Sequence, residues 1–215
     1  MTRRHTRRRL LGAVASVGLG GVAGCSGSTV FGDRDAPQSN DRAAASLDPV
    51  DVRGALYVPA RAWNTFQMWH DYDEAVIERD LGYADAVNLN AIRTWVSYEQ
   101  FRRDPAALEQ AVDHFLATAD ERGIAVLFGL FESVGKEPTE RHLYDTDPVT
   151  APPVQSPSSA VLLDRSRWDG PREYVRWFME RYGDDDRLLA IEVMNEPGWL
   201  DSMKRFAAGM FETMV

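Results

Sequence analysis

The stretch Leu188-Leu189-Ala190-Ile191-Glu192-Val193-Met194, followed directly by Asn195-Glu196-Pro197, decides the fold. It is apolar except for one acid, which is typical of a parallel strand covered on both faces. Proline has no N–H to donate to a neighbouring strand, so Pro197 ends this strand. Ligands of parallel sheets bind beyond the carboxyl ends of the strands. Asn195 and Glu196 are therefore the first candidates for chemistry.

Strands and helices alternate upstream of this stretch. Apolar runs predict three earlier strands, at 54–58, 90–96 and 124–131. Helical spacing of apolar residues predicts helices at 74–81, 105–119 and 171–182, with another at 201–215. Strands that alternate with helices favour a parallel sheet with crossover helices. The sequence thus predicts an α/β fold with four strand-helix units.

The helix that begins near residue 105 has the clearest sequence signals. Asp104 can cap it, Pro105 suits its first turn, and Gly123 can stop it. One apolar stripe is expected to be buried. It consists of Leu108, Ala111, Val112, Phe115, Leu116 and Ala119.

A long polar and proline-rich connection, 132–168, follows the third predicted strand. Connections of this length in a compact domain are usually functional or disordered. This one begins at the carboxyl end of a strand, so it is expected to lie over the candidate site, and whether it forms an ordered lid stays open.

The N-terminus carries an export signal. Five arginines and no acid fall among the first nine residues, and an apolar stretch at 10–23 follows. Paired arginines in Thr6-Arg7-Arg8-Arg9-Leu10-Leu11 are typical of twin-arginine export. The only cysteine, Cys25, ends Gly21-Val22-Ala23-Gly24-Cys25, which looks like a lipobox. The alternative is an ordinary free or buried thiol. We expect a signal at 1–24, a flexible tether at 25–47, and the folded part at 48–215.

Charge and composition exclude some classes of partner. The formal net charge is -9, and removal of the arginine-rich signal makes it more negative. That sign disfavours binding to nucleic acid or to anionic membranes. Lys136 and Lys204 are the only lysines, and an acidic, lysine-poor chain suggests a halophilic protein, although an ordinary acidic secreted protein has similar features. No histidine or cysteine spacing predicts a metal site, and no glycine-rich loop predicts a phosphate-bearing cofactor.

The segment 191–197 resembles the end of the fourth strand of glycoside hydrolase family five, the cellulases and mannanases, or of a close relative in the same clan. Leu89-Asn90-Ala91-Ile92-Arg93 is similar to the second strand of that family, and Gly123-Ile124-Ala125-Val126-Leu127 to the third. The resemblance covers roughly 53–199. It implies a (β/α)8 TIM barrel, of which this chain holds about the first four units.

The resemblance also implies roles for individual residues. Glu196 is the acid that protonates the departing sugar, Asn195 bonds the 2-hydroxyl of the sugar, and Arg93 orders the second catalytic carboxylate. Alternatives remain for two of them. Glu196 can instead be a carboxylate at the start of a helix, and Arg93 can instead pair with Glu192.

Sugars stack on aromatic rings, so tryptophans near strand ends are candidate platforms. Those so placed are Trp63, Trp95, Trp168 and Trp199. The alternative for each is a packing residue, which is the commoner role of a single tryptophan. Trp199, three residues beyond Glu196, is the strongest candidate.

The nucleophile of a retaining enzyme is a second carboxylate. In the resembled family it follows the seventh strand, so further strands are expected beyond Val215, and neither Glu99 nor Glu132 is assigned the role. Phe131-Glu132 also stands where cellulases of the family often have a histidine, which leaves the substrate open. We expect an exported, membrane-tethered, retaining hydrolase of β-linked polysaccharides such as mannan or glucan. The alternative is a non-catalytic, carbohydrate-binding surface lipoprotein or an inactive truncated product.

Overall fold

Four parallel strands form one sheet in the order β1-β2-β3-β4. The computed structural model describes residues 51–198 and 200–215. The strands are Gly54–Leu56 (β1), Ala91–Trp95 (β2), Ala125–Glu132 (β3) and Leu188–Asn195 (β4). Strand order follows chain order, as expected when each crossover returns beside the preceding strand. The predicted α/β class and its four strands are confirmed.

Eight α-helices lie in the described part of the chain. They are Thr65–His70 (α1), Glu74–Ala86 (α2), Tyr98–Arg103 (α3), Pro105–Asp120 (α4), Glu140–Leu143 (α5), Ser159–Leu162 (α6), Asp169–Tyr182 (α7) and Asp201–Met214 (α8). The four long helices are the predicted ones. None of the helices in these residues combines the length and the apolar character needed to cross a bilayer.

Helix α4 forms as its sequence predicts. Asp104 accepts a hydrogen bond from the Ala107 backbone at 2.9 Å, and Pro105 occupies the first turn. Gly123 follows the helix with a φ of +66°, a conformation that glycine adopts without strain. Every residue of the predicted stripe is at most 5% exposed. A side-chain cap of this kind is worth ~1 kcal/mol.

Two short helices, α1 and α3, were not predicted. Each begins after a capping residue: Asn64 accepts from the Gln67 backbone at 3.0 Å, and Ser97 accepts from the Gln100 backbone at 3.2 Å. Six residues are too few to display a helical repeat. In the sequence, only the capping residues Asn64 and Ser97 indicate these helices.

The hydrophobic core fills the space between the sheet and the helices. Phe128 of β3 is fully buried, and its ring centre lies 6.1 Å from Trp69, 6.0 Å from Phe115 and 5.9 Å from Phe178. Side chains alternate across a strand, so its neighbours Leu127 and Gly129 face the other side of the sheet. That other side carries the polar site described below.

The connection after β3 is ordered. It contains α5, α6 and a 3-10 turn at Arg165–Arg167, and it returns to β3 through a bridge between Glu132 and Ser156. A second bridge joins Lys136 to Val154. Gly135 has a φ of +126°, and a Cβ there would lie 2.7 Å from a Pro153 backbone atom. Only glycine fits at this approach.

Candidate active site

Glu196 stands immediately after β4 and is exposed to solvent. Its φ of +49° lies in the left-handed region, which non-glycine residues seldom adopt. The Ser133 hydroxyl donates a 2.8 Å hydrogen bond to the Glu196 carbonyl. The first helix after Glu196 begins at Asp201, so the alternative that Glu196 lies at the start of a helix is wrong.

Asn195 has both ends of its amide occupied. Its Oδ1 accepts from Arg93 Nη2 at 2.8 Å, and its Nδ2 donates to the two carboxyl oxygens of Glu132 at 3.0 and 2.9 Å. A cation therefore holds the amide oxygen while a carboxyl group holds the nitrogen. These contacts fix the orientation of the amide.

Arg93 lies at the centre of the cluster. Its guanidinium donates to Glu192 Oε2 at 2.6 Å from Nη2 and at 3.2 Å from Nε. It also stacks over Trp95, with 4.3 Å between Cζ and the ring centre. The predicted pairing of Arg93 with Glu192 is thus confirmed, whereas its action on a catalytic nucleophile stays a prediction.

The regular alternation of side chains breaks in the last residues of β4. Arg93 binds both Glu192 and Asn195, which are three positions apart. In a regular strand, residues three apart face opposite sides of the sheet. This irregularity brings Asn195 to the polar face, and the sequence gives no sign of it.

The carboxyl of Glu132, at the end of β3, has a raised pKa. Burial is the main factor that raises the pKa of this carboxyl, and the neighbouring acids Glu196 and Glu192 raise it further. Hydrogen bonds from Asn195 and from the Val134 backbone act in the opposite direction but do not cancel the effect. The cluster therefore combines an arginine-bound carboxylate with a carboxyl that holds its proton more tightly than usual.

The predicted aromatic platforms differ in their surroundings. Trp63 is 41% exposed. Trp95 is only 7% exposed, and its ring is held between Arg93 and Gly129, where an added Cβ would lie 2.4 Å from the indole. Trp95 thus packs beneath Arg93 and offers no free face to a sugar.

Trp168 is a packing residue, which contradicts its predicted role as a platform. It is 5% exposed, and its ring meets Phe206 of α8 edge to face at 5.4 Å. The indole N–H donates to the Val161 carbonyl at 3.1 Å. Trp199 and Cys25 lie outside the described residues, as do the predicted signal and tether, so those predictions stand as they were.

The segment that follows Trp63 is tied to the connection after β3. Gln67, which is 2% exposed, donates to the carbonyls of Leu143 at 2.9 Å and Asp145 at 2.8 Å. The carbonyl of Gln67's own side chain accepts from the Trp63 backbone at 2.8 Å. Sequence reasoning missed this clamp because its acceptors are backbone carbonyls far along the chain.

One groove lies away from this site and includes none of its residues. A groove of about 510 Å³ opens between α3, α4 and α7 on the outer helical face, lined in part by Phe101, Glu109 and Trp177. Within residues 51–198 and 200–215, no group of three or more histidine, cysteine or acidic side chains is arranged to hold a metal ion.

Comparison with sequence families found no profile that matches the chain, and no curated protein matches it. Solved structures do match. An exo-beta-1,4-mannosidase from Opitutaceae bacterium strain TAV5 superposes with a TM-score of 0.55 at 19% identity, over 75% of this chain and 28% of that enzyme.

Two further matches are enzymes of the GH5_18 group from bifidobacteria. The enzyme from Bifidobacterium longum subsp. longum, in complex with Manb1-4GlcNAc, has a TM-score of 0.49 at 13% identity, over 71% of this chain and 39% of its own. The enzyme from subspecies infantis has a TM-score of 0.48 at 14% identity, over 75% of this chain and 40% of its own. With TM-scores below 0.5, neither supports an argument.

The match to the mannosidase establishes the fold. The four strand-helix units correspond to part of the barrel of a glycoside hydrolase, and this chain spans less than a third of the length of that enzyme. The predicted barrel architecture is confirmed over the units that the chain contains.

Proposed function

We propose that this chain forms part of a retaining glycoside hydrolase for β-linked glycans, in which Glu196 protonates the departing sugar oxygen. One observation carries the proposal. Asn195 and Glu196 stand together at the carboxyl end of β4, beside the Arg93–Glu192 pair. Active sites of TIM-barrel enzymes lie at this end of the strands. The barrel fold supports the assignment.

Each polar residue has a task in the proposed reaction. The exposed Glu196 is accessible to a glycosidic oxygen. Asn195 Nδ2 carries two hydrogens, so one remains for the sugar 2-hydroxyl while the other bonds Glu132. This contact to the 2-hydroxyl strengthens as positive charge develops on the sugar ring. Arg93 is the cation that would hold a nucleophile carboxylate ionised. The nucleophile itself is not assigned among the described residues.

The substrate we propose is a β-linked polysaccharide such as mannan or glucan, cleaved internally. A β-1,4-mannoside is the first compound to test, since the solved structure with the higher TM-score is named an exo-beta-1,4-mannosidase. Assays of both a polymer and an aryl mannoside separate internal cleavage from release of terminal sugars. Trp199 remains our first candidate platform, and Trp63, which is exposed beside the connection after β3, is the second.

Replacement of Glu196 by glutamine tests the function in the natural gene product. General acid catalysis contributes roughly 10²- to 10⁴-fold, so turnover of mannan or glucan should fall by about that factor. Glu121→Gln is the control, because Glu121 caps the far end of α4. Binding of the polysaccharide without turnover in the unaltered protein would favour the carbohydrate-binding alternative.

We also propose that the protein is exported, cleaved before Cys25, and tethered by lipid to the outer face of the membrane. The arginine-rich N-terminus and the sequence 21–25 support this. Cys25→Ser should then move the protein from the membrane fraction to the medium. Retention of the variant at the membrane would refute the lipid tether. The acidic, lysine-poor composition supports a halophilic protein, which should keep its fold in molar salt.

A further inference from the structure

Glu132 and Ser133 form hydrogen bonds with Asn195 and Glu196 across the ends of two adjacent strands. The two segments are paired in the sheet, with Glu132 opposite Asn195. The Glu132 carboxyl accepts from the Asn195 amide, and the Ser133 hydroxyl donates to the Glu196 carbonyl at 2.8 Å. Each member of the first pair thus holds one member of the second.

The side chains of Glu132 and Ser133 are themselves restrained by their surroundings. Ser133 is 6% exposed, so its hydroxyl has little access to water as an alternative partner. Glu132 Oε1 also accepts from the Val134 backbone at 2.7 Å, which fixes the carboxyl in a tight turn after β3. The arrangement does not depend on long, mobile side chains.

The contacts act on the two features that the proposed chemistry needs. Glu196 has left-handed backbone geometry, and the hydrogen bond from Ser133 restrains the peptide group that follows it. The Asn195 amide can turn end for end, and the bonds to Arg93 and Glu132 select one orientation. Loss of either contact removes a restraint on Asn195 or on Glu196, and the proposed mechanism places both of these residues against the sugar.

We propose that Glu132 and Ser133 are positioning residues: Glu132 directs Asn195 Nδ2 toward the sugar 2-hydroxyl, and Ser133 holds Glu196 in its left-handed conformation. This inference rests on the proposed function. Burial and the neighbouring acids raise the pKa of Glu132, which agrees with its place beside Glu196.

Kinetics on paired substrates test the role of Glu132. Small misplacements of reacting groups lower rates by up to ~100-fold, so Glu132→Ala should lower kcat/KM for the parent glycoside by about 10- to 100-fold and for its 2-deoxy analogue by less than about 3-fold. Glu132→Gln retains one acceptor oxygen and should recover part of the loss. Equal losses on both substrates would overturn the role, because a purely structural residue affects them alike.

Rescue by a conservative variant tests Ser133. Ser133→Ala removes the hydroxyl and should lower kcat by about 10-fold, since the proton donor is no longer aimed. Ser133→Thr keeps the hydroxyl and should restore most of the rate. If alanine and threonine are equally impaired, or if neither is impaired, the assignment of Ser133 fails.

A titration in the chain itself separates this inference from the function. We would follow the Glu132 carboxyl by carbon-13 NMR. Glu196→Gln should lower the pKa of Glu132 and Asn195→Ala should raise it, because the first removes a neighbouring acid and the second a hydrogen bond. If the pKa of Glu132 is the same in both variants as in the wild type, the inference is overturned. The expected shifts in a protein that cleaves no glycoside would support the contacts while refuting the proposed function.

Discussion

Gly129→Ala tests whether the floor of the site is as closely packed as the structure shows. Gly129 lies in β3, opposite Trp95 of β2 and Glu192 of β4. A Cβ at this position would lie 2.4 Å from Trp95 Cδ1 and 2.6 Å from Nε1. Ordinary contacts between carbon atoms are about 3.5 to 4.0 Å. The indole must therefore move by about 1 Å or more.

The indole has little room to move. Trp95 is 7% exposed, and the Arg93 guanidinium covers its ring at 4.3 Å. The same Cβ would also lie 3.1 Å from Glu192 Oε2, the atom that accepts from Arg93. Overpacking of a core typically costs about 1 to 3 kcal/mol, and occasionally more. We expect about 3 kcal/mol, the upper end, because a rigid ring and a charged pair are displaced together.

Thermal unfolding measures this effect. In domains of about 150 to 250 residues, 1 kcal/mol shifts Tm by roughly 2 to 4 °C, so Gly129→Ala should lower Tm by about 6 to 12 °C. Gly82→Ala is the matched control. Gly82 lies inside α2, and a Cβ there meets nothing within 4 Å. This control should gain about 0.5 to 1 kcal/mol from the better helix propensity of alanine.

Opposite signs for the two substitutions are the expected result. A Gly129→Ala protein as stable as the wild type, with an unchanged Arg93–Glu192 pair, would refute the packing argument. A loss of similar size in Gly82→Ala would show that glycine removal is harmful in general and that the contact with Trp95 is not the reason.

Two further predictions concern the pKa of Glu99 and the hydrogen bonds that the Gln67 side chain donates to the connection after β3. Burial raises the pKa of Glu99 from 4.5 to about 7. The folded state then binds this proton more tightly than the unfolded state, so stability falls as pH rises between these values, by at most about 3 kcal/mol. Glu99→Gln should remove that part of the pH dependence in urea unfolding, and an unchanged slope would contradict the shift. Gln67→Ala removes the amide that donates to the carbonyls of Leu143 and Asp145, and leaves the Leu143 carbonyl only the longer 3.4 Å bond from Asn64. The free energy of unfolding should therefore fall by about 1 to 3 kcal/mol. Proteolysis at 143–145 should accelerate, and unaltered cleavage would contradict the clamp.

Periodicity and caps in the sequence were sufficient to predict the sheet and the long helices. The apolar runs of β3 and β4 are long enough to be recognised as buried strands, and the stripe of α4 repeats over several turns. Short elements carry no such repeat. Helices α1 and α3 therefore escaped prediction although Asn64 and Ser97 cap them.

The candidate site was predicted in part. A strand that ends in Asn195-Glu196-Pro197 indicates which residues meet at the edge of the sheet. The pairing of Arg93 with Glu192 was predicted only as one of two alternatives, because the register places Arg93 level with Ala190 and Glu192 level with Trp95. The hydrogen bonds from Asn195 to Glu132 could not be predicted, because they require both the register that places these two residues opposite each other and a common side of the sheet for their side chains. The burial of Trp168 also depends on where α8 packs, which local sequence does not determine.

The dependence of rate on the leaving group tests the role of Glu196 most directly. The natural gene product and its Glu196→Gln variant are compared on aryl β-mannosides or β-glucosides whose phenols range from weakly to strongly acidic. A strongly acidic phenol departs without a proton, so the variant should approach the wild-type rate of glycosyl transfer to the enzyme on such substrates. On a poor leaving group it should fall behind by about 10²- to 10⁴-fold. An equal loss on every substrate, or no loss at all, would contradict the assignment of Glu196 as the proton donor.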